Sequence, residues 1–363
     1  MKNEKEIKNL KIGIYSPYLN IFGGGERYIL SIARAFSQDS EVYLYADKDL
    51  SKRSLEIFGI NLKNTHLLPS DLLLQQNFLK KYAYLHKYDL FFYMSDGSLF
   101  FSSAKKNFLI VQSPLHIPNK NFLNRMKLAN WKIICYSQFM RNIIRQKLNC
   151  GIKSLTLAPC IDVPNKKEKV TKDNIILSVG RFFPYPHDKK HEILVDLFKK
   201  SYSKYFSGWK LIIAGGLTEK GGDDIFRRLK DKSIGYPIEI MSNLSSDRLL
   251  EFYQKSKIYW HAAGFGEDLT TNPEKAEHFG IAPLEAMANG VVPIVFNGGG
   301  LMDIIDGENG GYLWNTLEEL TQKTVNLIVD EKLLTHQEKL VRAEANKYSC
   351  DQFYGKLEKI IIE

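Results

Sequence analysis

Two glutamates eight positions apart, Glu277 and Glu285, frame the run Glu277-His278-Phe279-Gly280-Ile281-Ala282-Pro283-Leu284-Glu285-Ala286-Met287-Ala288-Asn289-Gly290. If all the intervening steps were helical, the carboxylates would sit about 80° apart around the axis. A loop followed by a helix aims both at one ligand more readily. Pro283 suits a first helical turn, where a missing N–H is harmless, and Asn289-Gly290 is a left-handed stop. Glu285 is therefore expected in the first turn of a helix and Glu277 in the loop before it, with the exposed N–H groups between them facing an anion. Val291 to Phe296 then reads as a buried strand and Gly298-Gly299-Gly300 as a glycine loop.

Other residue types able to handle phosphate or sugar lie upstream. A strand ending at Gly180 is followed by Arg181 and, after the insertion-like Phe-Phe-Pro-Tyr-Pro-His-Asp, by Lys189-Lys190. Arginine grips phosphate oxygens in a fork, while lysine supplies a point charge. Near the start of the chain, a short strand leads through Gly23, Gly24 and Gly25 into a helical pattern, and such glycines let backbone N–H groups approach a ligand closely. His116 follows another strand and is held between Pro114 and Pro118; alone, it fits a structural role as well as a catalytic one. His261, His278 and Glu267 have no spacing that compels metal binding. Cys135, Cys150, Cys160 and Cys350 show neither metal spacing nor a disulfide ladder and read as reduced thiols.

The E-x7-E spacing with its internal Phe-Gly, the Glu-Ala-Met-Ala-x-Gly helix and the following Gly-Gly loop resemble the retaining glycosyltransferases of family four. That resemblance implies the α/β GT-B fold, two Rossmann-like domains facing across a cleft. It assigns Glu277 to hydroxyls of the transferred sugar, helped by the N–H groups of Phe279, Gly280 and Ile281, and Glu285 to the ribose. Arg181 and Lys189 would hold the diphosphate and stabilise the leaving group. Lys189 is matched by counting back from Phe198, but Lys190 stands where the family has glycine, so the choice between the two lysines stays open. Asn243 and Leu244 would meet the nucleobase, Gly24 and Gly25 would line the cleft, and His116 would lie near the transferred sugar and acceptor.

The same resemblance implies retention by same-face attack, with no metal and no cofactor beyond the nucleotide diphosphate sugar that serves as donor. The expected function is transfer of a mannose- or glucose-type hexose to a glycan or lipid-linked acceptor, with GDP and UDP both open. Two rival readings are an epimerase of GT-B fold, which would isomerise the donor without transferring it, and a non-catalytic partner subunit. The latter should have lost Arg181, Lys189 or the glutamate pair, and this chain keeps them.

Those residues need elements to position them. The 363 residues suit two domains, and 44% hydrophobic with 25% charged residues is a soluble globular balance. Strand-like runs at 11–16, 41–45, 90–94, 107–112 and 132–136, then at 174–180, 209–216, 238–244, 257–263 and 291–296, alternate with helical patterns and predict parallel sheets. The expected division is 1–164 for an acceptor domain, 165–345 for a nucleotide-sugar domain, and 346–363 for a helix crossing back to the first. The connection from 264 to 276 is long and reads as a mobile flap over the donor.

The net charge of +9 is uneven: residues 1–164 hold 23 Lys and Arg against 12 Asp and Glu, or +11, and the remainder 27 against 29, or −2. So basic a half could meet nucleic acid, an anionic membrane or a phosphorylated substrate, but a nucleic-acid partner would not explain Glu277 and Glu285. Two segments in that half, 72–88 and 119–132, interleave apolar stripes (Leu74, Phe78, Tyr82, Leu85; Phe122, Leu123, Met126, Trp131) with lysines and an arginine. They read either as core-facing helices or as docking to an anionic membrane surface. No run reaches the roughly 18 apolar residues of a spanning helix, and the charged first ten residues are unlike a secretory signal. The expected location is cytoplasmic, peripheral at the inner face of the membrane.

Overall fold

The computed structural model describes residues 8–19, 23–46, 50–62, 64–148, 151, 153–164, 170–184, 188–217, 221–308 and 310–362. Phe22, Cys150, the charged run at 165–169 and Tyr185-Pro186-His187 of the insertion lie outside them. The chain forms two units: Met1–Cys160 together with Cys350–Glu363, and Ile161–Ser349.

In the first unit, seven strands pair in parallel: β1 (Lys11–Tyr15), β2 (Glu41–Tyr45), β3 (Thr65–Leu68), β4 (Leu90–Met94), β5 (Lys106–Val111), β6 (Lys132–Cys135) and β7 (Ser154–Thr156). Their order across the sheet is β3-β2-β1-β4-β5-β6-β7. Ile12 stands opposite Val42 on one side and Leu90 on the other. Central strands such as β4 are buried along their whole length, as a sheet covered by helices on both faces requires. The core is rich in rings, with Tyr45, Tyr88, Phe91, Tyr93 and Trp131 packed together. The helix Cys350–Ile362 belongs to this unit, where Phe353 meets Tyr28 edge-on at 5.5 Å between ring centres.

The second unit repeats the plan with β8 (Ile175–Val179), β9 (Lys210–Gly215), β10 (Ile238–Ser242), β11 (Ile258–His261), β12 (Val292–Phe296) and β13 (Tyr312–Trp314), in the order β10-β9-β8-β11-β12-β13. Ile176 sits between Leu211 and Ile258. In both sheets the order reverses beside the first strand, between β1 and β4 and between β8 and β11. Ligands of open parallel sheets bind beyond the carboxyl ends of the strands at such a reversal.

Sequence reading missed β3, β7 and β13, which have only three or four residues and are partly exposed edge strands. An edge strand is paired on one side only and lacks the continuous apolar run that marks a central one. The segment 72–88 is not one helix. It breaks into Asp71–Leu74 and Phe78–Leu85 because Asn77 caps the second piece, its side chain accepting from Lys80 N–H at 3.0 Å. The chain also brings two cysteine thiols together, with Cys160 Sγ and Cys350 Sγ 2.8 Å apart, a pairing that sequence spacing does not reveal.

Candidate active site

In the second unit, Glu277 and Lys189 of the predicted residues meet at the β8/β11 reversal. Gly180 and Arg181 follow β8, His261 ends β11, and Glu277 precedes the helix Ile281–Ala288. Glu277 Oε2 accepts from Lys189 Nζ at 2.6 Å and lies 3.1 Å from His261 Nε2. Gly180 permits this approach, since a Cβ there would lie 2.7 Å from Lys189 Cγ. Burial opposes the Glu277 charge most strongly, yet the Lys189 ammonium and the His261 hydrogen bond prevail and hold the carboxyl well below the usual carboxylate range. Burial also lowers the His261 pKa, against the pull of Glu277. The ring is therefore neutral at pH 7 and, with its proton on Nε2, donates to the carboxylate. The Glu277 side chain remains 17% exposed, and among the described residues no partner is found for Oε1. One oxygen is held by the protein and the other is accessible to a ligand.

The turn carrying Glu277 is shaped by glycine. Gly280 caps the helix at φ 105°, a conformation that excludes other residues at little strain. A Cβ on Gly299 would collide with the Glu277 carbonyl oxygen, and one on Gly300 with that of His278. The 298–300 loop therefore lies directly against the backbone of the carboxylate turn, fixed by Gly300 N–H donating to Glu277 O at 2.7 Å. The helix starts at Ile281, which puts Glu285 fifth, at the beginning of the second turn and not in the first as the Pro283 signal suggested. Glu285 Oε2 accepts from the Tyr253 hydroxyl at 3.2 Å.

The two lysines separate. Lys189 pairs with Glu277, whereas Lys190 Nζ lies 2.6 Å from Glu267 Oε1. The backbone at Lys190 is left-handed, φ 56°, the conformation for which glycine is the usual residue. The connection 264–276, expected to be a mobile flap, is tethered instead. Glu267 holds both Lys190 and Lys275, and Phe265 packs on Trp314 at 4.9 Å. Arg181 has its guanidinium 5.9 Å from the Phe183 ring. Asn243, at φ 52°, accepts from Leu217 N–H at 2.9 Å, and Leu244 packs against the core cluster that contains Tyr253 and Tyr259. Among the described residues, neither hydrogen-bonds to Glu277, Lys189 or His261. Sequence reading considered His261 only as a metal ligand; the available signal was a polar residue closing the buried run Ile258-Tyr259-Trp260.

In the first unit, Gly24 opens the helix Gly24–Phe36 after β1, and Gly23 N–H donates to Glu26 Oε2 at 2.6 Å. A Cβ on Gly25 would strike the Gln112 side chain. His116 ends a single turn, Pro114–His116, just past β5. Its ring stacks on Tyr18 at 5.1 Å, with Nε2 3.3 Å from the Tyr18 hydroxyl, and its carbonyl accepts from Ser95 Oγ at 2.7 Å. Burial lowers its pKa, opposed by Asp96. His116 thus joins the Ser95-Asp96 turn that follows β4.

Solved structures similar to this chain have the same architecture. A glycosyltransferase from Rickettsia africae ESF-5 superposes with a TM-score of 0.75 over 98% of this chain and 99% of its own, at 17% identity. Anabaena HepE, solved in complex with UDP, gives 0.70 over 97% and 100%, at 15% identity. Two Rossmann-like units of this kind make up the GT-B fold. Residues 162–347 match the family described as Glycosyl transferases group 1, and the chain belongs to that family. Among curated proteins it is 21% identical to the GDP-Man:Man(3)GlcNAc(2)-PP-Dol alpha-1,2-mannosyltransferase of Dictyostelium discoideum, covering 99% of this chain and 86% of that protein. It spans only 42% of the length of the mouse and human proteins of the same name.

Proposed function

We propose that the chain transfers a hexose, of mannose type, from a nucleotide diphosphate sugar to a lipid-linked glycan, with retention of configuration. The observation that carries this reading is the Glu277 carboxylate, anchored on one oxygen by Lys189 and His261 and open on the other, at the start of a helix. In this reading Oε1 accepts a hydroxyl of the transferred sugar, and the N–H groups of Phe279, Gly280 and Ile281 face the donor. Lys189 has three N–H donors, so it can keep Glu277 and still reach a diphosphate oxygen. With Arg181 it stabilises charge on the leaving group, the role a metal ion would otherwise fill. Glu285, steadied by Tyr253, takes the ribose, and Asn243 and Leu244 border the base. In the first unit, the His116 turn and the Gly24-Gly25 loop are the proposed acceptor-binding elements.

GDP-mannose is the favoured donor because the end-to-end relative is named for it; UDP, present in the HepE structure, is the rival. No helix among the described residues is long and apolar enough to cross a membrane. In this reading the protein acts peripherally, at the cytoplasmic face of an anionic bilayer where a lipid-linked acceptor resides.

A panel of nucleotide sugars tested by thermal shift identifies the donor, since a ligand bound only by the folded state raises its Tm. Transfer is then assayed with that donor and a lipid-linked acceptor, and the product linkage is read by NMR. Glu277→Gln, Arg181→Ala and Lys189→Ala are each expected to lower kcat by at least about a hundred-fold, the scale of losing one charge-stabilising group, with the fold retained. Near wild-type turnover in all three would refute the site, and an inverted anomer would refute retention.

A further inference from the structure

The stretch from 267 to 277 is held at both ends by consecutive lysines. Lys189 Nζ reaches Glu277 Oε2, and Lys190 Nζ reaches Glu267 Oε1, each at 2.6 Å. Lys275, inside the stretch, closes the loop from the other side, its Nζ 2.7 Å from Glu267 Oε2. Both Glu267 oxygens are thus engaged, and the Lys190 and Glu267 side chains are only 19% and 20% exposed. Asp188 adds a second carboxylate 3.5 Å from Lys190 Nζ, while its Oδ1 accepts the Lys190 backbone N–H at 2.8 Å.

The backbone shows that this arrangement is more than an accident of two long side chains. Lys190 immediately precedes the helix His191–Ser201 at φ 56° and ψ 33°, a left-handed conformation that glycine adopts freely and a residue with a Cβ does not. The Lys190 ammonium lies against two carboxylates. Its charge is balanced within the protein and is not directed at an incoming anion. The tethered stretch ends at Glu277, and a Cβ on Gly298, in the loop beneath it, would lie 2.8 Å from Leu269 in its middle.

We propose that Lys190 is a positioning residue, not a diphosphate ligand: with Glu267 and Lys275 it braces the 267–277 connection so that Glu277 is presented to the donor in one fixed place. The strained backbone at 190 is retained because the side chain makes the brace. This rests on the donor-site reading above.

The test uses the full-length protein and two single variants, Lys190→Gly and Glu267→Gln. Glycine relieves the backbone, so Lys190→Gly should fold with an unchanged or higher Tm. Both variants should raise the donor KM by about ten-fold, equivalent to about 1.4 kcal/mol, with kcat within about two-fold, and the double variant should be no worse than either single one, as expected for residues acting through one contact. Amide hydrogen exchange in 264–276 should accelerate in both. A collapse of kcat in Lys190→Gly like that of Lys189→Ala would make Lys190 a diphosphate ligand and overturn the proposal. Unchanged exchange and unchanged KM would also overturn it. If the wild-type protein transfers no sugar from any nucleotide donor, the function reading fails, while the exchange measurement still decides whether the brace exists.

Discussion

His191, the first residue of the helix His191–Ser201, is buried, and among the described residues its Nε2 has no hydrogen-bond partner. Burial, then the charges of Lys189 and His261, push its pKa down to about 3. An unfolded histidine titrates near 6.5, so below that pH the unfolded chain binds the extra proton and the folded one does not. Stability should therefore fall as pH drops below about 6.5, by up to about 1.4 kcal/mol per pH unit from this residue alone. His191→Leu is expected to flatten the decline in Tm between pH 6.5 and 5 by scanning calorimetry; an unaltered slope would mean that the ring protonates normally. Glu277 acts lower on the scale. Its depressed pKa adds stability above the ordinary carboxylate range and loses it as pH falls through and below about 4. At this scale the sequence exposed the charged partners better than their conformations. Glu277, Arg181 and Lys189 carry motif spacing, but whether Lys189 or Lys190 meets Glu277 depends on a left-handed backbone at 190 that residue type alone argues against.

Central strands could be read from composition, because burial on both faces leaves uninterrupted apolar runs such as Leu90-Phe91-Phe92-Tyr93-Met94. Amphipathic helices were harder, because a stripe at helical spacing does not say whether it faces the core or the solvent. In the helices Phe78–Leu85 and Phe122–Leu128 the stripe divides: Leu85 is fully buried, but Phe78 is 56% exposed and Phe122 80%, with Tyr82, Leu123 and Met126 about half exposed, and Leu79, beside the stripe, is 74% exposed. Trp131 turns inward, its Nε1–H donating to Phe100 O. Both helices flank the 99–101 segment, where Phe78 meets the Phe101 ring at 5.5 Å and Lys127 donates to Leu99 O at 2.8 Å. Lys80, Lys81, Lys120, Arg125 and Lys127 accompany the apolar residues, a combination suited to an anionic lipid surface. Vesicles containing phosphatidylglycerol are expected to sediment the protein at low salt. Leu79→Ser with Phe122→Ser should weaken that binding by at least about a hundred-fold, the scale of losing two buried apolar side chains. Equal binding by wild type and variant would remove these helices from the membrane reading.

At the scale of the whole chain, the family match at 162–347 coincides almost completely with the second unit, Ile161–Ser349. The strand-and-helix alternation showed two sheets, but the position of the division depended on pairing between distant residues. Ile161 bridges Ser349, and its N–H donates to Tyr348 O at 3.0 Å. The chain therefore enters and leaves the second unit at neighbouring points, so that this unit is, topologically, a guest inserted into a host. A guest whose ends already meet needs no host to close it. Residues 161–349 expressed alone should melt cooperatively and show a thermal shift with the same nucleotide sugar as the intact chain; failure to fold would refute that autonomy. The host should in turn tolerate a short Gly-Ser bridge from 160 to 350. Donor choice would then be a transplantable property, replaceable by exchanging one insert at one junction.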